Sequence, residues 1–406
     1  MRCAYHFNVI DFVATMKRSR KPAKPRLTRD SEKLIALSLG LAGSRSFGED
    51  RFWEDALLEA LIQLADAKRD SVIENALDQL DQTHDRGYEE LIEMVEAISE
   101  TVSIEHKSET WSVTLIVLPL LATSKYTIPF GAIAQNQLIP ILELLREQIF
   151  AKSAELTLMP YLFSIEQMPQ KFSVLRDMLR RLGVAAIDNS PPDWVPKVIS
   201  EPPQLPADAR FILGAVVVRS GQPSFCWQEW DGHRGRVHCE ERWETLAPNA
   251  LAGLLPGCQF ESLLPDSYFA NARETDRRIR PITLHSTVSF LSSTLKVQAN
   301  DLRAIVAGFG DEQIDEFRVS FTQKKSNDVL HGVVWPLFDQ EDEALAVLEI
   351  EACLRANDVT EIEKMTERFE PEFCTDCGAP LFADPTGDVV HPELPEHVEP
   401  PGNTLH

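Results

Sequence analysis

The chain has 406 residues and a net charge of -23, from 63 acidic and 40 basic side chains. That length can bury one large core or two ordinary ones, and that charge disfavours a polyanion such as DNA as the main partner of the folded body. Its 44% hydrophobic and 25% charged residues are globular proportions, which excludes a chain disordered throughout.

The first fifteen residues read as an upstream extension, with a natural start at Met16. Lys17, Arg18, Arg20, Lys21, Lys24, Arg26 and Arg29 then crowd one short stretch with two prolines. Residues 1–27 are expected to be a disordered basic arm, with RNA, ribosome or anionic-lipid contact as its functional alternative. No aromatic side chain interleaves the basic run, so a base-stacking surface is not indicated.

Residues 28–107 read as a helical bundle. Asp30 or Ser31 can cap a first helix with an apolar face of Leu34, Ile35, Leu37, Leu39 and Leu41. Three-and-four spacing then predicts helices over 49–65, 71–80 and 88–102. At Trp111 the pattern changes. Val113 to Leu118 is a β-branched, wholly apolar run, as in a strand covered on both faces. A helix over 138–149, a strand over 155–161 and a helix over 172–182 complete a first α/β module, 108–190. Pro191, Pro192, Pro196, Pro202, Pro203 and Pro206 mark a linker over 191–207.

A second α/β module is expected over 208–369. It begins with a buried strand at 211–218 and a hairpin partner at 225–230. A helix over 243–254, which Pro248 interrupts, and a strand at 258–264 follow. Leu263-Leu264-Pro265 echoes Leu158-Met159-Pro160, and Arg273-Glu274 with Arg277-Arg278 echoes Arg176-Asp177 with Arg180-Arg181. The echoes need different offsets, so an internal duplication must admit a gap. Strands at 301–309, 316–322 and 329–335 and helices at 341–355 and 359–369 end the module. A knuckle at 370–384 and a disordered acidic tail at 385–406 finish the chain.

The knuckle carries the chemistry. Cys374-Thr-Asp-Cys377-Gly378 has the spacing at which two thiolates reach one tetrahedral ion, and the glycine permits the tight turn. Zinc is the expected cofactor; a bare thiol pair and a redox couple are the alternatives. A structural zinc needs further donors. His391 and His397 complete a finger-like string, but Pro392 and Pro395 exclude the helix on which a finger carries its histidines. His238 with Cys239, or the same Cys pair from a second chain, are the other sources of ligands.

The segment Asp231 to Glu241 groups His233, His238, Cys239, Glu240 and Glu241, enough for metal binding or acid–base work. A polar loop between strand and helix is the favoured reading of it. No phosphate-cradling glycine loop, zincin motif or nucleophile elbow occurs.

Taken together, Leu27-Thr-Arg-Asp-Ser-Glu-Lys33, Glu49-Asp-Arg-Phe-Trp53 and Phe373-Cys-Thr-Asp-Cys-Gly-Ala-Pro-Leu-Phe382 resemble an uncharacterised bacterial domain-of-unknown-function family, DUF2863. The resemblance spans Met16 to about His391. It implies no activity, only that the helical start, α/β middle and Cys-x-x-Cys end belong to one protein.

The expected fold class is therefore α/β (α+β overall): a helical bundle, two related α/β modules and a terminal knuckle. Scattered, odd-numbered cysteines suit a reducing cytoplasm. No apolar run reaches the roughly 18 residues of a spanning helix, so no membrane partner is expected. The leading functional expectation is a non-enzymatic cytoplasmic adaptor or regulatory protein, with a protein partner or a second copy of itself. An enzyme with a small-molecule site between the two modules is the alternative, using His233, His238, Cys239, Glu240 and the paired arginines.

Overall fold

The structure, a computed structural model, describes residues 27–169, 171–194, 205–229, 235–311, 313–338 and 341–395. The basic arm, His233, His397 and most of the proline-rich segment lie outside the described residues.

Helices α1 (Arg29–Ala42), α2 (Phe47–Asp66), α3 (Asp70–Asp81) and α4 (Asp85–Glu100) form an N-terminal layer. Side chains close three of its open helix starts: Thr28 accepts from the Ser31 N–H at 3.1 Å, Ser46 from the Glu49 N–H at 3.3 Å, and the His84 ring Nδ1 from the Gly87 N–H at 3.0 Å. Leu34, Leu57, Leu61, Ile73, Leu77, Leu80, Leu91 and Val95 fill its core. The expected last helix stops two residues early. Thr101–His106 is strand β1, which leaves the layer to pair with β2 (Glu109–Thr123).

Next come the short β3 (Gly131–Ala132), α5 (Gln135–Gln148), β4 (Glu155–Leu158), β5 (Tyr161–Leu162) and α6 (Phe172–Ile187). They are followed by β6 (Ala207–Arg219), α7 (Arg236–Leu251), β7 (Gln259–Ser262), β8 (Asp266–Ser267) and α8 (Tyr268–Leu295). The segment expected to pair as a hairpin at 225–230 instead makes one 3-10 turn, Cys226–Gln228. A single bridge, Phe150 to Phe225, is its only ladder contact among the described residues.

The proline-rich segment does not separate one sheet from another. β2 and β6, on either side of it, pair antiparallel from Trp111↔Arg219 to Thr123↔Ala207 in one six-stranded sheet. The outer strands are exchanged between the halves. β4, from the first half, pairs with β6; β7, from the second, pairs with β2. The registers match: Leu158↔Gly214 corresponds to Ser262↔Leu120, and Glu155↔Val217 to Gln259↔Thr123. The offset that relates Leu120 to Gly214 also relates Leu118 to Ile212, which are themselves a β2–β6 pair. An approximate twofold therefore passes through that pair, normal to the sheet. The Met159 N–H bonds to the Leu213 carbonyl and the Leu263 N–H to the Pro119 carbonyl, so the structural match is slipped by one residue from the sequence echo.

Alternation along the two central strands covers both faces. Val113, Leu115, Val117, Leu213, Ala215 and Val217 pack under α6 and α8. Ile116, Leu118, Leu120, Ile212 and Val216 pack under α5 and α7. The echoed arginines hold layers together. Arg180 reaches Asp66 of α2 at 2.7 Å and Arg273 reaches Glu96 of α4 at 2.7 Å, fastening the helical layer to the sheet's helices. The buried Asp70 carboxylate accepts from both the N–H and the hydroxyl of Ser173, at 2.9 and 2.6 Å.

α8 continues past this sheet and opens a second one. β9 (Leu302–Phe309), β10 (Glu316–Gln323) and β11 (His331–Pro336) precede α9 (Glu343–Ala356) and β12 (Glu361–Phe369), in the order β11-β10-β9-β12. β12 is the segment expected as a helix over 359–369. Its glutamates, lysine and methionine favour a helix, but β9 offers an open edge, and tertiary pairing overrides propensity there. Lys364 reaches Glu351 of α9 at 2.6 Å, and Arg303 of β9 reaches Glu363 at 3.3 Å. The expectation of a disordered tail from 385 is corrected as well, over 385–395. β13 (Phe382–Ala383) and β14 (Val389–Val390) form a hairpin, and the Glu393 N–H donates to the Val329 carbonyl.

At the seam between the helical layer and the first sheet, Glu100 ends α4 and accepts from the Phe269 N–H at 3.3 Å. Burial pushes its carboxyl up to about 7 from the ordinary 4.5, against the pull of that hydrogen bond. A folded-state value above the unfolded one means that its contribution is full below pH 4.5 and is lost as pH rises through about 7. The loss is on the order of 3 kcal/mol. Glu100→Gln, which keeps an acceptor for Phe269, is expected to flatten the fall in denaturant stability between about pH 5 and pH 8. Equal falls in variant and wild type would contradict this account.

Candidate metal centre

β10 alternates between two environments. Phe317, Val319 and Phe321 face the apolar core under α8 and α9. Glu316, Arg318 and Ser320 are buried too, on the opposite face. A buried guanidinium is costly unless its N–H groups are used. Arg318 donates to the Glu316 carboxylate at 2.7 Å, to the Glu372 carbonyl at 2.9 Å and to the Leu381 carbonyl. Its central carbon, Cζ, lies 4.2 Å from the Phe309 ring centre and 5.2 Å from that of Phe373. The two carbonyls bracket Cys374 and Cys377, so one side chain clamps both ends of the Cys-x-x-Cys turn onto the sheet.

The turn closes on itself. The Cys374 N–H bonds to the Ala379 carbonyl at 2.7 Å and the Gly378 N–H to the Cys374 carbonyl at 2.8 Å. Gly378 has φ +74, where a side chain would be strained. Backbone N–H groups of Cys377 and Asp376 point at the Cys374 sulfur and hold its thiol below the ordinary range. The amides thus face a sulfur and favour its thiolate, the form that ligates a metal.

The hairpin brings the third donor. Its tip is set by Asp384, whose carboxylate accepts from the N–H groups of Thr386 and Asp388 at 2.8 and 3.0 Å. Its β13 end is held to the sheet by Ser320 and by Phe382, whose ring lies over Gly332. Just after β14, His391 Nε2 stands 3.3 Å from Cys377 Sγ. Cys374, Cys377 and His391 together place one donor atom each within 4.8 Å of the others, and all three are half-buried. The far ring nitrogen, Nδ1, is buried with no hydrogen-bond partner among the described residues, and a Glu393 oxygen lies 3.7 Å away. That is too long for a hydrogen bond, yet it sets a carboxylate on the outer side of the imidazole, the side that a metal-bound histidine commonly turns to one. His391 reaches the cysteines from a hairpin, so the prolines around it are no obstacle.

The other sequence candidates are not brought to this site. His238 is exposed on α7, and Cys239, next to it, is buried against Cys226. Glu240 pairs with Arg236 at 3.3 Å. Of the paired arginines, Arg176 and Arg180 bind Asp66, Arg181 binds Asp177, and Arg278 binds Glu274. Glu240 and Arg278 line one cleft with Asp266 and Glu274, but His238 is exposed and Cys239 is buried against Cys226, so among the described residues the enzyme reading's candidates are not all brought to one point. Lys17, Arg18, Arg20, Lys21, His233 and His397 lie outside the described residues. Gly332 belongs to the site, and sequence reading missed it: a Cβ there would meet the Phe382 ring at 2.3 Å. A glycine inside β11, just before the apolar Val333, Val334 and Trp335, was its one sequence signal. Gly332→Ala is expected to cost about 1–3 kcal/mol by overpacking and to weaken metal retention, read by thermal unfolding and by metal content after dialysis. Unchanged values in both would contradict this packing.

No curated protein and no solved structure matches the chain. Among the described residues, no helix is long and apolar enough to cross a membrane. A family model matches residues 19–404, nearly the whole length. The helical layer, the exchanged-strand sheet and the clamped Cys-x-x-Cys turn thus belong together, and the chain is a member of the family described as protein of unknown function, DUF2863.

Proposed function

We propose that Cys374, Cys377 and His391 hold one zinc ion as a structural staple, and that the protein works as a non-enzymatic cytoplasmic adaptor or regulatory protein. The observation that carries this reading is the convergence of two thiols and one imidazole from separate segments within 4.8 Å. Two sulfurs and a nitrogen are a donor set suited to zinc. The ion would join the turn that Arg318 clamps to the hairpin that follows it, closing the loop from Cys374 to His391. A fourth position is left for water or for a donor from elsewhere, such as His397.

The position of the site supports a structural role. The donors sit over the polar face of the second sheet. The clefts of the first sheet are lined by other residues: one by Arg146, Phe150, Lys152 and Cys226, the other by Arg236, Trp243, Asp266 and Asn271. The metal therefore bears on the fold, and on whatever surface the stapled hairpin presents.

Removal of the metal by a strong chelator is expected to lower the melting temperature and to release amide-exchange protection over 381–390, while α1–α4 keep theirs. A metal held at about a hundredfold excess over its Kd contributes on the order of 3 kcal/mol. Identical melting and exchange with and without chelator would overturn the staple. For the adaptor role, affinity capture from the native source should recover a stoichiometric partner or a second copy of the chain, and a monomer with neither would overturn it.

A further inference from the structure

Away from the metal centre, two further cysteines meet. Cys226 lies in the turn after β6 and Cys239 in the first turns of α7, and their sulfur atoms are 3.4 Å apart. Both are buried, at 4% and 1% exposure. They are thirteen positions apart in sequence, so the contact is made by the fold and not by a short motif. No disulfide joins them. Cys226 also touches the Gln148 carbonyl at 3.4 Å, and it lines a cleft of about 360 Å³ with Arg146, Lys152 and Glu229. Of the two cysteines, Cys226 is the one that borders this cleft, and Cys239 is not among its lining residues.

We propose that Cys226 and Cys239 are a redox-responsive pair that closes to a disulfide by exchange with a low-molecular-weight disulfide. In the first step, the Cys226 thiolate attacks one sulfur of the reagent. The reagent's S–S bond breaks, and one small thiol leaves and takes up a proton. In the second step, the Cys239 thiolate attacks Cys226 in the mixed disulfide, and the second small thiol leaves. Two protein thiols are oxidised and one small disulfide is reduced to two thiols, so atoms and electrons balance. The new bond needs a sulfur approach of little more than about 1 Å toward the roughly 2.05 Å of a disulfide. It would pin the start of α7 to the turn that follows β6 and close the chain between Cys226 and Cys239, next to the cleft. Reduction by a dithiol reverses both steps.

The test uses the full-length protein with metal present, equilibrated in buffers of graded oxidised-to-reduced glutathione ratio and trapped by rapid alkylation. Trypsin cuts after Arg219, Arg234, Arg236 and Arg242, which puts the two cysteines in separate peptides, 220–234 and 237–242. The expected result is a linked pair of these peptides whose yield rises from near none to the majority along the series and falls again with dithiothreitol. In Cys239→Ala, the resolving sulfur is gone, and a glutathione adduct should accumulate on Cys226. If 220–234 and 237–242 stay unlinked at every ratio, or link only once the protein is denatured, the cysteines are ordinary core thiols and the proposal fails. It fails equally if Cys226 in Cys239→Ala takes up no glutathione, because the route through the cleft would then be closed.

Discussion

A buried guanidinium decides where the end of this chain goes. Arg318 stands on the face of β10 that the helices do not cover, and its N–H groups need acceptors that the sheet alone cannot offer. The carbonyls of Glu372 and Leu381 meet that need, and the Cys-x-x-Cys turn between them is carried into place. Phe309 and Phe373 flank the charge and keep water from it. The candidate metal centre is thus a consequence of strand alternation. Phe317, Val319 and Phe321 give β10 an apolar face for α8 and α9, and Arg318 and Ser320 give it a polar face that only a hydrogen-bonding segment can cover.

The first sheet obeys a different constraint. Its two long strands are apolar on both faces, so both must be covered, and an exchange of outer strands lets each half cover the other. α5 and α7 take one face and α6 and α8 the other. The helical layer then docks through carboxylates on α2, α3 and α4 that meet Arg180, Ser173 and Arg273. α8 ties the two sheets together: Phe269, Ala272 and Ile279 belong to the first core, and Leu284, Val288 and Leu291 to the second.

Much of this is legible in the sequence where one element serves one environment. The helices of the N-terminal layer show a steady three-and-four apolar stripe, and 113–118 and 211–218 are uninterrupted apolar runs. α8 escapes a reading by periodicity because its stripe changes direction midway, as it passes from one core to the other, and because Pro281 stands inside it. β12 has the composition of an exposed helix, and only the open edge of β9 makes it a strand. The Cys pair is plain in the sequence and His391 is visible there, but the finger pattern puts a metal-binding histidine on a helix. A hairpin delivers it instead, which nothing in the spacing reveals. The contact of Cys226 with Cys239 is hidden for the same reason: it is created by a turn and a helix start that only tertiary packing brings together.

The central claim is a single metal ion held by two sulfurs and one imidazole of one chain. Zinc K-edge X-ray absorption on the full-length, untagged protein tests it most directly. The account predicts a first shell with two sulfur atoms at about 2.3 Å and nitrogen or oxygen at about 2.0–2.1 Å, including the outer-shell signature of one imidazole. Four sulfurs would mean a clasp between two chains, and a shell of oxygen and nitrogen alone would mean that Cys374 and Cys377 hold no metal. Either result would contradict the account.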